Sequence, residues 1–270
     1  MTGTCALCGN TATLIDSHFM PAALYQEMND PNGPIKNMIV VTTRGTFQSA
    51  EQFHMPLLCQ ACEIRFQKGG ENWTLENRYR SDGSFPLRHL LLAAIPETDR
   101  GDGICIYEAR KVPGLKIEQL LYFAASLFWR AGIADWRVKF ADAPKIDLST
   151  NLMGELRDYL LGNGPFPTTA SLFALVDAEA NPQRVMPSPA KVGDVPFVRY
   201  ESHIPGMIFE FAVNVVPSFD ELSLDSPIER IVLTPLVTER VKVMCAPLIG
   251  SCEPKGSLKK HFSQTGREEP

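Results

Sequence analysis

Apolar residues come in short, interrupted runs over the first 80 positions and in longer runs beyond them. In the first stretch the pattern predicts a tight turn around the first cysteines, a short strand over residues 13–15 and a brief helix over 21–28. Residues 29–34, NDPNGP, read as a turn, and 38–42 and 46–53 as strands or an irregular hairpin. A helix starts at Cys59, and the paired glycines Gly69 and Gly70 should stop it. The polar, turn-rich segment RYRSDGSF, residues 78–85, is the expected domain boundary. Beyond it, 87–94 fits a helix or a strand. Residues 117–133 are so uniformly apolar that they read as a core helix, with Trp129 in the core and Arg130 capping the helix or pairing internally. An amphipathic helix is expected over 153–161, stopped by GNGPFP. Residues 171–176, 197–201, 207–216 and 230–243 are rich in β-branched and aromatic side chains and read as strands. The expected organisation is α+β throughout: a small module over 1–80, a larger α+β domain over 81–252 and a polar, flexible tail over 253–270.

Composition narrows the class. Of 270 residues, 44% are hydrophobic and 21% charged, which is ordinary for a folded globular protein, and no run of 18 apolar residues is present to suggest a membrane span. A net charge of −5 provides no global attraction for a nucleic-acid backbone, so an extended DNA-binding surface is disfavoured while a small, metal-centred site is not. The N-terminal MTGTCALCGN lacks the basic and apolar regions of a secretory signal, so a cytoplasmic location with reduced thiols is expected.

Seven cysteines include two CxxC pairs, Cys5/Cys8 and Cys59/Cys62. Scattered at random they would give roughly 0.15 such pairs, so two are a pattern to explain. Thiolates three residues apart can both reach one tetrahedral metal at about 2.3 Å, and Gly9 permits the tight turn that follows the first pair. A structural Zn2+ held by the four cysteines is the expectation. A redox dithiol would need a βαβ context that neither pair has. Cys105, Cys245 and Cys252 lack ligand spacing and are expected to be inert.

A cysteine knuckle, a hairpin and a helix carrying the second pair describe a treble clef (a ββα-metal-like plan). With LIDSHFMPAALY after the first pair and HMPLLCQACEIRF around the second, the first quarter of the chain resembles the HNH endonuclease superfamily in its four-cysteine form. The resemblance implies that His18 is the general base. It places His54 where an asparagine is usual, Glu63 where a metal-binding histidine is usual, and Ser17 where an aspartate often binds metal. Asp16 stands close by with a carboxylate. The activity implied is that of a metal-dependent nuclease in which Glu63 or Asp16 holds Mg2+ or Mn2+ beside His18. Arg65, Lys68, Glu71 and Asn72 lie on or just beyond the same helix and read as solvated, with phosphate or metal contact as the alternative. An N-terminal SHxxP and LLCxxCE module followed by an apolar helix ending in LFWR also resembles a group of bacterial proteins. Some nucleases of bacterial anti-phage systems share the plan of a small nuclease module on a larger sensing or assembly domain.

Two functions from different classes therefore compete. One is a nuclease acting on DNA or RNA, switched by an activating protein or small molecule through residues 185–246. The other is a catalytically inactive zinc module that binds protein or nucleic acid, favoured by Ser17, Glu63 and the acidic balance. Self-association is left open.

Overall fold

The computed structural model describes residues 1–29, 37–42, 45–139, 141–143, 145–193, 198–213, 230–251, 254–256 and 259–260. Most of the NDPNGP turn, Phe197, the end of the strand expected over 207–216, Cys252 and most of the polar tail lie outside them. No helix among the described residues is long and apolar enough to cross a membrane.

The chain opens with β1 (Thr2–Thr4) and β2 (Thr11–His18), joined through the cysteine knuckle. Gly9 takes a φ of +79° there, and the Cys5 N–H donates to the Asn10 carbonyl at 2.9 Å to close the turn. β2 extends well beyond the predicted 13–15 because a second strand pairs with it. After α1 (Ala22–Glu27) and the hairpin β3 (Ile39–Thr42) with β4 (Gly45–Gln48), the strand β5 (His54–Cys59) runs antiparallel to β2, from Leu14 opposite Cys59 to His18 opposite His54. Proline within HMPLLC hid this strand from a pattern reading. The ladder shifts register between Ile15 and Asp16, opposite Pro56 and Leu58, so the proline sits at a bulge.

The expected helix stop at Gly69 and Gly70 is overturned. α2 (Gln60–Phe66) continues through a π-helical turn (Gln67–Glu71) into α3 (Asn72–Asn77). The glycines serve close packing instead: a Cβ on Gly70 would lie 2.2 Å from the Gln119 carbonyl oxygen, and one on Gly69 would lie 2.5 Å from the Tyr122 ring. Only backbone fits where this helix meets the central one.

That central helix is α5 (Ile117–Ile133), reached after α4 (Pro86–Ala93), β6 (Thr98–Asp99) and β7 (Cys105–Glu108). It is buried on nearly every side, as its composition predicts. On one side Trp129 and Tyr122 meet Phe66 edge-on, with ring centroids 6.0 and 6.1 Å apart. On the other, Phe128 stacks on Phe211 at 5.0 Å and Phe123 meets Phe209 at 5.8 Å. One buried hydrophobic cluster consequently runs from Cys5 to Leu233, across residue 80.

Following α5 come β8 (Trp136–Arg137), β9 (Asp142–Ala143) and α6 (Thr150–Leu161), which is capped by the Ser149 hydroxyl and ended by Gly162 at φ +76°. The remaining strands are β10 (Ala170–Asp177), β11 (Ala190–Gly193), β12 (Val198–Ile204), β13 (Met207–Val213) and β14 (Arg230–Thr234). With β7 and β6 they form a seven-stranded sheet in the order β11-β12-β13-β10-β14-β7-β6, antiparallel except for β10 beside β14. The strand expected over 230–243 ends at Thr234. Pro235 cannot extend the ladder, the Thr234 hydroxyl accepts from the Leu236 N–H at 3.1 Å, and α7 (Leu236–Ser251) follows. Val237 and Val241, four residues apart, bury one face of it.

Candidate metal centre and adjoining cavity

Cys5 and Cys8 project from the knuckle, Cys59 ends β5 and Cys62 sits in the first turn of α2. Their sulfur atoms all lie within 4.8 Å of one another, with Cys8 Sγ 3.9 Å from Cys59 Sγ. A tetrahedral site with metal–sulfur bonds of about 2.3 Å requires sulfurs about 3.8 Å apart, so the four thiols can close on one ion with little movement. The Cys59 N–H already donates to Cys5 Sγ at 3.3 Å. Burial raises the Cys5 thiol, but the N–H groups of Cys8, Cys59 and Leu7 outweigh it and bring the pKa to about 7. Cys62 is pushed up by burial and by its cysteine neighbours. Four such thiols cannot all ionise together without a cation among them. Cys105 and Cys245 stand apart from the cluster as free, half-buried thiols.

Beside the cluster a cavity of about 230 Å³ opens between the end of β2, the start of α1, the long bent helix and α5. His18, Glu63, Gln67, Glu71, Asn72 and Arg130 provide its polar lining. His18 faces His54 across the strand pair, with ring centroids 5.6 Å apart. Burial lowers the His18 pKa below 6.5 and His54 lowers it further, against a hydrogen bond with Gln52 and the Glu63 carboxylate, which favour the cation. The imidazole is neutral at pH 7, as a base must be to accept a proton.

Glu63 is 8% exposed, and its Oε1 is buried with no hydrogen-bond partner. Glu71, read from sequence as solvated, is buried instead and accepts from Arg130 Nη2 at 2.6 Å. Arg130 does pair internally, as expected. It is 1% exposed, its guanidinium lies over the Phe66 ring at 4.6 Å, and its Nη2 is 4.0 Å from Glu63 Oε2. Arg130 Nε and Nη1 have no acceptor.

The other expected site residues divide. Asp16 does not line the cavity: its side chain is 63% exposed and its carboxylate is 4.0 Å from His54 Nδ1. Of the two carboxylates expected to hold a divalent metal, Glu63 lines the cavity and Asp16 does not, and among the described residues the four cysteines are the only convergent set of three or more His, Cys, Asp or Glu ligands. Ser17 is fully buried, and its hydroxyl accepts from the Leu58 N–H at 3.1 Å, which closes the bulge. It cannot stand in for a metal-binding carboxylate. Arg65 donates to the Leu161 carbonyl at the end of α6 and does not line the cavity. Sequence reasoning offered Glu71 as a contact only in second place and did not make Arg130 a site residue, since only the packing of α5 on the glycine pair brings them together.

No protein-family model, no curated protein and no solved structure matches this chain.

Proposed function

We propose that the chain is a metal-dependent phosphodiesterase of HNH type, cleaving DNA or RNA, on a treble clef held by a structural Zn2+ at Cys5, Cys8, Cys59 and Cys62. The observation that carries this reading is the meeting of His18 and Glu63 in one cavity directly beside the cysteine cluster. Four thiolates with no open position suit a structural zinc rather than a catalytic one. The cluster ties the strand bearing His18 to the helix start bearing Glu63, so the two side chains face one substrate without a long loop to order. His18, neutral and hydrogen-bonded by Gln52, takes the proton from a water attacking phosphorus. The unpartnered Glu63 oxygen fits Mg2+ or Mn2+, which when bound would neutralise the phosphate and stabilise the leaving oxygen.

A second reading, an inactive zinc module that binds protein or nucleic acid, is favoured by Ser17, whose hydroxyl is consumed in the bulge, and by Asp16, which stands outside the cavity. Purified wild type and His18→Ala, incubated with plasmid DNA or total RNA and Mg2+ or Mn2+, separate the two. Loss of the base should cost about 100- to 10,000-fold in rate with zinc content and melting temperature kept. Because the His18 pKa is depressed, the acid limb of the wild-type pH–rate profile should fall below pH 6.5. Equal cleavage by His18→Ala would sink the enzyme reading. In a cell the enzyme reading makes the chain a nucleic-acid-degrading effector of the anti-phage kind, expected to slow growth on expression where His18→Ala does not.

A further inference from the structure

We infer that Arg130 is the anion-binding arm of the cavity, and that it takes a phosphate group only together with a divalent cation. This rests on the phosphodiesterase reading and extends it to a residue outside the first 80. Three buried groups carry it. Arg130 donates from Nη2 to Glu71, while Nε and Nη1, equally buried, have no acceptor in the protein. A guanidinium has two convergent edges, Nε with Nη2 and Nη1 with Nη2; with one Nη2 hydrogen on Glu71, the other can pair with an unpartnered neighbour to grip two oxygens of one phosphate. An unpaired charged donor in the interior is costly, so an oxygen-rich partner belongs there. Phe66 covers one face of the guanidinium and leaves its edges for that partner.

Arg130 alone would not attract an anion. Glu63 and Glu71 set two carboxylates against one guanidinium, an excess of one negative charge on buried side chains that repels phosphate. The buried, unpartnered Oε1 of Glu63 is the complementary opening, a hard oxygen for a hard cation. A divalent cation turns the excess of −1 into +1, and a singly charged phosphodiester then brings the cavity to zero. Each ligand is therefore the other's condition for binding, and by linkage the enhancement is reciprocal.

Calorimetric titration of the zinc-loaded full chain with inorganic phosphate, with and without Mg2+, tests this without any cleavage. Phosphate affinity should rise at least tenfold in Mg2+, and Mg2+ affinity should rise by the same factor in phosphate. Arg130→Lys keeps the charge beside Glu71 but loses the fork, and should lower the Mg2+-dependent phosphate affinity at least tenfold while the melt stays cooperative. Should that variant fail to fold, Glu63→Gln decides: it removes the charge excess, so phosphate should bind more tightly than to wild type without Mg2+, and adding Mg2+ should change nothing. Phosphate affinity indifferent to Mg2+ in wild type, unchanged in Arg130→Lys, or still enhanced by Mg2+ in Glu63→Gln, would overturn the assignment. Wild type that cleaves nucleic acid yet binds phosphate without regard to Mg2+ refutes this inference alone. Mg2+-coupled phosphate binding without cleavage refutes the phosphodiesterase reading alone.

Discussion

The chain twice places one arginine between two glutamates, with opposite results. In the seven-stranded sheet Arg240, from α7, donates to Glu201 at 2.8 Å and to Glu210 as well, and His203 Nε2 lies 3.1 Å from the second Glu201 oxygen. Arg240 is 36% exposed, so water shares the load. In the cavity Arg130 is almost wholly buried, holds Glu71 closely, and leaves Glu63 at 4.0 Å with a bare oxygen. The sheet trio is a closed set whose carboxylates are both engaged. The cavity trio keeps bonding capacity in reserve on both its guanidinium and a carboxylate.

Breaking the four-cysteine cluster should separate the two trios most sharply. Structural zinc is worth on the order of 10 kcal/mol in small modules, so Cys59→Ser should lose zinc and strip amide protection from β2, β5 and the helix after Cys59. Amides of β12 and β13 around Glu201 and Glu210 should stay protected. Hydrogen exchange read by mass spectrometry checks this, and uniform loss over both regions would mean that they unfold as one unit.

Truncating each arginine tests the closed-versus-open contrast directly. Arg130→Ala leaves Glu71 buried without its partner and should cost about 3–5 kcal/mol in urea unfolding. Arg240→Ala should cost clearly less, since water reaches that trio and His203 remains beside Glu201. Equal costs would erase the distinction.

A smaller effect is expected from Gly70→Ala. Its Cβ would meet the Gln119 carbonyl, a backbone atom that cannot swing aside, so α5 and the bent helix must part at a cost of about 1–3 kcal/mol. On the phosphodiesterase reading cleavage should fall with it, while the Arg240 trio is untouched.

The smallest effect is in pH dependence. Burial alone would raise the Glu201 pKa, but His203 and Arg240 outweigh it and hold it below the ordinary 4.5. The unfolded chain then binds the proton more readily than the folded one. Stability from this group is complete above pH 4.5 and is lost as pH falls through the lower folded value. Glu201→Gln should therefore be the less stable protein at pH 7, and the gap in melting temperature should narrow below pH 4.5. A gap that stays constant to pH 3 would show that Glu201 is not held by these charges.

How far the sequence revealed these features depended on the range of the interactions that make them. The CxxC pairs declared the cysteine cluster because ligand spacing is local, and α5 was legible because burial on all sides leaves an apolar run. The strand β5 was hidden by Pro56, which only a bulge makes tolerable in a ladder. Gly69 and Gly70 read as a stop because their low helix propensity is a local property, whereas the contact that makes them useful lies some 50 positions away on α5. Arg130 and Glu71 are 59 residues apart, and nothing in the composition around either announces the other. Asp16 misled for the opposite reason: proximity in sequence to His18 was not proximity to the cavity.

The π-helical turn over Gln67–Glu71 has a consequence for how such a site can survive a change in chain length. Residues turn by about 100° each around an α-helix, so two positions eight apart, such as Glu63 and Glu71, would point about 80° away from each other. One supernumerary residue between them reduces the effective separation to seven steps and the divergence to about 20°, which lets both carboxylates look the same way. In evolutionary terms the turn absorbs a single inserted codon, so that an acid seven steps beyond Glu63 keeps its direction, and its pairing with Arg130, after the insertion. A single deleted codon in the turn would restore a regular helix with the two acids seven positions apart, still within about 20° of each other, and would leave the cysteines, His18 and Glu63 where they are.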